Sequence, residues 1–377
     1  MTMRVLILSC DTGGGHNSCA KAIQTAFLDE GHICDIADSL SFVSKKFSQF
    51  MAWGHSTMYR HISGLFRFGY GFAEKHPGAL RDGSAVYKLL TGGTERLLEY
   101  LLDGKYDTVI CAHVFSSIMV SHLLKKYSIS LNTAFVATDY TCSPGAVNEG
   151  LDCFFIPTAL QKEDFMRCGA LENKLIPSGI PVRKDFYVRV NKETAKEQFG
   201  VHPDHVHLLM MCGSMGCGPM QELTKLLSQS MDHTMELSVA CGSNLALQQK
   251  LEKEFNRFPN IHIYGFVKDM SGLMDSADLY LTKPGGLSTT EAAVKQLPMV
   301  LIDAVAGCEA HNLRYFTEIG GAKTQRSPQE LTNLCLELLK SEPRRKQMSD
   351  ALNAISSQNA AACICQTLCA NRKEGVR

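Results

Sequence analysis

Two glycine-rich stretches carry the side chains best suited to chemistry. "DTGGGH" at 11–16 follows the apolar run Val5-Leu6-Ile7-Leu8 and runs into a helical pattern. "TKPGGLSTTE" at 282–291 closes the strand-like run 279–282 and also opens a helical pattern. A strand-to-helix turn leaves the first helical N–H groups unpaired and aimed at the loop, and the helix dipole adds partial positive charge there. An anion is therefore a natural guest, and glycine lets its oxygens approach the backbone.

The turns differ in what else they present. In the second, Gly285 and Gly286 make the bend, Ser288 and Thr289 offer hydroxyls at the helix start, and Glu291 is expected within its first turn. Glycine backbone with hydroxyls suits a diphosphate, and a carboxylate a little further on can accept from both hydroxyls of a ribose. Upstream, Phe266 and Val267 end a strand where a base could read the backbone; downstream, "GCEAHN" adds Glu309, His311 and Asn312 at another helix start. In the first turn, His16 is the reactive group. The dipole disfavours its protonated form, so a neutral imidazole can accept a proton; the alternative is a local cap or hydrogen bond. Neither turn matches the Walker pattern or Gly-x-Gly-x-x-Gly, so neither ATP hydrolysis nor NAD is supported.

Turns of this kind need strands and helices to hold them, and the chain supplies both in alternation. Short apolar runs at 4–10, 32–37, 107–113, 133–139 and 153–157, then 205–212, 235–241, 261–266, 279–282 and 299–302, are separated by amphipathic stretches. That is the α/β pattern of parallel sheets covered on both faces. With 377 residues the chain exceeds one ordinary core, and "IPSGIPVRKDF" at 176–186 interrupts the pattern as a hinge would. "LILSCDTGGGH" and "LLMMCGSMGCG" echo each other across it, as two similar lobes would.

Charge is balanced, with 38 basic and 38 acidic residues, so no global field draws the chain to nucleic acid. The fifteen cysteines are scattered through apolar runs, among them Cys111, Cys153, Cys212 and Cys241, which reads as a reduced, cytosolic interior. Cys363, Cys365 and Cys369 lack a histidine nearby in sequence and a second knuckle, and read as a packed helix face rather than a zinc site. The apolar run before Asp11 is too short for a signal peptide or a membrane span, so a soluble or peripheral protein is expected. Residues 41–72 break the alternation: they hold nine aromatics and the cations Lys45, Lys46, Arg60 and Arg67, with no acid. Such a segment either packs as a helical insertion or lies in a bilayer interface, its cations on anionic headgroups; the charge favours the bilayer.

Taken in order, "DTGGGHNSCAKAI", "VATDYTCSP" (136–144), "SGIPV" (178–182), "YGFVKDMSGLMDSAD" (264–278), "TKPGGLSTTEA" (282–292) and "GCEAHN" (307–312) resemble the inverting glycosyltransferases of the GT-B fold. The resemblance is to the group of monogalactosyldiacylglycerol synthases and processive diacylglycerol β-glucosyltransferases, and more distantly to the enzyme that adds N-acetylglucosamine to lipid I. It implies two Rossmann-like lobes facing across a cleft: an acceptor and membrane lobe at 1–182, a UDP-sugar lobe at 183–344, and a carboxyl-terminal helix within 345–377 returning to the first. It further implies His16 as the base with Asp139 nearby. The UDP-sugar would be held by Gly15, Ser214, Phe266, Val267, Lys283, Gly285, Gly286, Ser288, Thr289, Glu291, Glu309 and Asn312. A lipid hydroxyl, diacylglycerol or a related acceptor, would attack the anomeric carbon opposite UDP, with helix dipoles and Lys283 steadying the leaving diphosphate. No cofactor and no metal are expected.

Membrane contact is expected through Phe47, Trp53, Phe66, Phe68, Lys45, Arg60 and Arg67, on the inner, cytoplasmic face of the membrane. Cys308 stands where family members carry glutamine in a Gly-Gln-Glu triplet associated with the donor sugar, and "GAVNEG" replaces an aromatic stretch after "TDYTCSP". Two other readings fit the same residues: transfer to another lipid-linked or small acceptor, and a nucleotide-sugar sensor without catalysis.

Overall fold

The computed structural model describes residues 2–11, 14–61, 80, 82–302, 307–355 and 358–372, with the side chains of 52 and 55–61 outside the description. Twelve strands form two parallel six-stranded sheets. The first holds β1 (Arg4–Ser9), β2 (Ile33–Asp38), β3 (Thr108–Cys111), β4 (Asn132–Val136), β5 (Cys153–Ile156) and β6 (Leu175–Pro177), in the order β2-β1-β3-β4-β5-β6. The second holds β7 (Val206–Met211), β8 (Met235–Ala240), β9 (Ile261–Tyr264), β10 (Leu279–Thr282), β11 (Met299–Leu301) and β12 (Ala322–Thr324), in the order β12-β11-β10-β7-β8-β9.

The composition of the strands explains the class. Val5, Leu6, Ile7 and Leu8 of β1 are all fully buried, an unbroken apolar run rather than an alternating one, because helices cover both faces of the sheet. The edge strands β6 and β12 have three residues each and carry no run long enough to read from sequence. β6 starts the stretch read as a hinge; Pro177 closes it on the sheet edge, where no further strand needs its missing N–H.

In each sheet the direction of winding reverses once, between β1 and β3 in the first and between β7 and β10 in the second. Ligand sites of open α/β sheets form outside the carboxyl ends of strands at such reversals. The start of the helix Gly14–Asp29 after β1 and the turn 283–286 after β10 lie there.

The chain divides into two units: Met1–Arg183 with Ala306–Cys308 and Gln358–Arg377, and Lys184–Val305 with Glu309–Ser357. The returning segment thus begins at Gln358, later than 345. The helix Glu342–Asn353 stays with the second unit because Met348 and Leu352 are buried there and Ser349 Oγ donates to the carbonyl of Gln296 at 2.8 Å. In the first unit the helix Ala360–Ala370 packs along the helix Gly14–Asp29. Gln358 donates to the carbonyls of Pro177 and Ser178, and Arg372 pairs with Asp107 at 2.8 Å, so the returning segment is fastened at both ends.

The helix Lys45–His61 has two faces. Phe47 and Met51, one turn apart, pack on Cys10, Leu40, Tyr87, Leu90 and Ile118. Phe50 and Trp53 point to solvent, 62% and 64% exposed, with ring centroids 6.2 Å apart, and Lys45 is exposed. Phe47 is therefore half-buried against this cluster and does not share the solvent face of Phe50 and Trp53. Phe66, Arg67 and Phe68 lie outside the described residues, as does the side chain of Arg60.

Candidate active site

The first unit builds a histidine site from the carboxyl ends of three adjacent strands. The helix after β1 starts at Gly14, so His16 is its third residue and Gly15, half-buried, its second. Ser9 Oγ donates to Asn17 Oδ1 and Asn17 Nδ2 donates to Asp11 Oδ1, both at 2.6 Å, tying strand end, turn and helix together. Just past β3, the carbonyl of Ala112 lies 3.0 Å from His16 Nδ1; just past β4, Thr138 Oγ1 lies 3.2 Å from the same nitrogen. A carbonyl can only accept, so Nδ1 carries the ring proton in the neutral imidazole and Nε2 keeps its lone pair. His113 meets the imidazole edge to face at 4.5 Å, and its own Nδ1 accepts from the N–H of Phe115. Asp139, half-buried, follows Thr138 directly. Sequence reasoning named His16 and Asp139 but missed Ala112, His113 and Thr138. The signal available was their shared position one or two residues past neighbouring strands.

The second unit gathers its candidate residues around the ends of β7 and β10. The helix Gly286–Val294 starts at Gly286, with Gly285 as its cap, so the N–H groups of Gly286, Leu287 and Ser288 open onto the turn. Ser288 is half-buried in this first turn. Glu291 falls in the second turn rather than the first, because the helix closes directly on the Gly-Gly bend. Thr289 differs from expectation: it is fully buried and its hydroxyl donates back to the carbonyl of Gly285 at 2.9 Å, so it braces the bend and does not face a diphosphate. Asn312 is also fully buried, and its amide donates to the carbonyl of Pro284 at 2.9 Å. It shapes the Pro-Gly-Gly turn from beneath and is not placed to face a sugar.

Lys283 spans the reversal point. Its chain runs over Gly213, where a Cβ would come within 2.7 Å of Lys283 Cε, and its ammonium meets Glu309 Oε1 at 2.9 Å. Ser214 is exposed beside it. The "CGSMG" turn is seated on the turn after β8: Gly216 and Gly242 have positive φ, and a Cβ on either would stand 2.2 Å from the carbonyl oxygen of Cys241 or Ser214. No side chain fits there, which fixes both glycines. At the end of β9, Phe266 is 77% exposed, and among the described residues neither backbone group of Val267 has a hydrogen-bond partner. β9 stands three strands from β10, ~14 Å at ordinary strand spacing.

Comparison with known proteins bears on this geometry. Residues 16–182 match the family model described as monogalactosyldiacylglycerol (MGDG) synthase, and residues 207–364 match the glycosyltransferase family 28 C-terminal domain. The processive diacylglycerol β-glucosyltransferase of Bacillus cytotoxicus is 27% identical over 367 residues, 96% of this chain and 92% of that protein. Over nearly its whole length this chain is similar to the processive diacylglycerol β-glucosyltransferases, its first part to the MGDG synthases and its second to glycosyltransferase family 28.

Solved structures agree on a GT-B fold of two Rossmann-like lobes. The calicheamicin glycosyltransferase CalG4 superposes with a TM-score of 0.66 at 14% identity, over 98% of each chain. The S. aureus MnaA–UDP co-structure gives 0.65 at 14% identity, over 98% of this chain and 96% of that one. Each match spans both units, as the two family models together do. Among the described residues, no helix is long and apolar enough to cross a membrane.

Proposed function

We propose that this protein transfers a hexose from a UDP-sugar to diacylglycerol, inverting the anomeric carbon, at the inner, cytoplasmic face of a membrane. The observation that carries the chemical step is the hydrogen bond from His16 Nδ1 to the carbonyl of Ala112. It leaves Nε2 as the basic atom, and the carbonyl remains a partner for the imidazolium once Nε2 has taken the proton of the acceptor hydroxyl. In this reading the deprotonated oxygen attacks the anomeric carbon as its bond to the UDP oxygen breaks.

The donor side follows from the second unit. The amino-terminal N–H groups of the helix Gly286–Val294 and the half-exposed Ser288 would receive the diphosphate, and Glu291 the ribose hydroxyls. Phe266 and the backbone of Val267 would receive the base. A diphosphate would compete with Glu309 for the Lys283 ammonium, freeing the carboxylate for the sugar. Fixed N–H dipoles and one ammonium offset the charge of the leaving group, so the proposed transfer needs no metal at the donor. Supporting a membrane-borne acceptor, Phe50 and Trp53 offer an exposed aromatic pair beside the exposed Lys45 and Lys46, suited to an anionic surface.

The test of the catalytic assignment is His16→Ala. Turnover should fall by ~10²–10⁴, the usual contribution of a general base, while UDP affinity measured by calorimetry stays unchanged. Undiminished turnover in this variant would remove His16 from the mechanism.

A further inference from the structure

We propose that His32, Cys365 and Cys369, with the thioether of Met3, form a binding site for a thiophilic d10 cation, Zn²⁺ or Cu⁺. In sequence the two cysteines have no histidine beside them; in the fold, His32 reaches them from 333 residues away. The ligand atoms of His32, Cys365 and Cys369 all lie within 4.8 Å of one another. His32 Nε2 is 3.1 Å from Cys369 Sγ, which in turn is 3.5 Å from Met3 Sδ. A four-coordinate ion with bonds of ~2.0–2.3 Å holds its ligand atoms ~3.5–3.8 Å apart, so only small side-chain shifts separate this cluster from a closed shell.

The elements explain the convergence. Cys365 and Cys369 are one helical turn apart on the helix Ala360–Ala370, hence on one face, and that helix packs along the helix Gly14–Asp29. His32 lies between that helix and β2, and Met3 immediately precedes β1, so each flanks the amino end of its strand. Met3 and Cys365 are about 1% exposed, and His32 and Cys369 are half-buried, so the shell is largely closed to solvent. Two sulfurs of cysteine, one imidazole and one thioether form a soft set that disfavours calcium and magnesium, which require oxygen. The site sits a strand's length, ~20 Å, from the carboxyl end of β1 where His16 lies, and so takes no part in transfer.

The proton balance is explicit. Without metal, the N–H of Met3 donates to His32 Nδ1 at 3.3 Å, so Nε2 carries the ring proton and donates to Cys369 Sγ. On binding, both thiols release their protons to solvent, the ring proton moves to Nδ1, and Nε2 joins the two thiolates on the cation. Three hydrogen bonds, Met3 N–H to His32 Nδ1, His32 Nε2–H to Cys369 Sγ and Cys369 S–H to Met3 Sδ, are given up for two metal–thiolate bonds and one metal–imidazole bond. The cation would clamp the returning helix to the sheet.

The experiment uses the full chain, kept reduced with a phosphine, and titrates Zn²⁺ and Cu⁺ separately against a chelator of known affinity. One equivalent of either ion should bind, with a mixed nitrogen and sulfur shell by X-ray absorption and a raised melting temperature. The pair Cys365→Ser with Cys369→Ser should weaken binding by more than ~10²-fold, since even loss of an outer partner costs 10–100-fold. Cys363→Ser, on the same helix but outside the cluster, should bind as wild type, and His32→Gln provides a second, conservative loss should the double variant not fold. Failure of the wild type to take up one equivalent of either ion, or wild-type affinity in both the double variant and His32→Gln, would overturn the proposal.

Discussion

Ser288 and Thr289 are adjacent hydroxyls on one helix turn, and their surroundings assign them opposite tasks. Thr289 is buried and hydrogen-bonded to the carbonyl of Gly285, whereas Ser288 is half-exposed among the first N–H groups of its helix. Ser288→Ala should therefore weaken UDP binding by roughly one hydrogen bond to a charged group, ~1.5–3 kcal/mol or about 10–100-fold, with little change in stability. Thr289→Ala should do the reverse, lowering the urea midpoint by ~1 kcal/mol in stability and leaving the UDP contacts of the turn in place. At this scale the sequence disclosed which residue types gather at the turn but not where each points. Asn312 and Thr289 have the chemistry of ligand contacts, yet the helix period buries both. His16 was legible as a histidine at a helix start; its basic atom was not, because the deciding carbonyl of Ala112 arrives from another strand.

The helix Lys45–His61 makes the comparable point for an element. Its aromatic and basic composition is plain in sequence, but the split between Phe47 on the core and Phe50 with Trp53 in solvent depends on which face meets Leu40 and Tyr87. Replacing Phe50 and Trp53 together by serine should reduce sedimentation with anionic vesicles while leaving the melting temperature within error. Phe47→Ser should lower the melting temperature by removing a core contact. Equal loss of vesicle binding in both variants would place membrane attachment elsewhere. Strands were legible wherever β-branched and leucine-rich runs stood fully buried between helices. β6 and β12, three residues each at sheet edges, lacked that signature, and the alliance of His32 with Cys365 and Cys369 depends on the return of the last helix.

For the whole molecule, the division near 183 is visible as a lapse in the strand–helix rhythm, while the switch of the chain back to the first unit at Gln358 is set by which core takes Met348 and Leu352. The second unit also sets an acid limit. Burial raises the pKa of Glu236, but hydrogen bonds from His262, the N–H of His202 and His205 outweigh it and hold the carboxyl below its usual range. His207, fully buried between the carbonyl of Ser276 and the hydroxyl of Ser238, is pushed down to about 4 by desolvation. Both folded values are depressed, so both contributions are complete above the unfolded values and are lost on acidification. For His207 the loss runs from pH ~6.5 to about 4 and amounts to ~3 kcal/mol; Glu236 adds its share below the ordinary carboxylate range. Urea midpoints followed by circular dichroism should fall across this window, and His207→Gln should flatten the slope above pH 4. The central claim, hexose transfer to diacylglycerol, is tested most directly by incubating the protein with diacylglycerol vesicles and UDP-glucose, UDP-galactose or UDP-N-acetylglucosamine, then measuring glycolipid and released UDP together. The account predicts one glycolipid, of inverted β configuration, formed in step with UDP; bound UDP with no glycolipid from any of the three donors would contradict it.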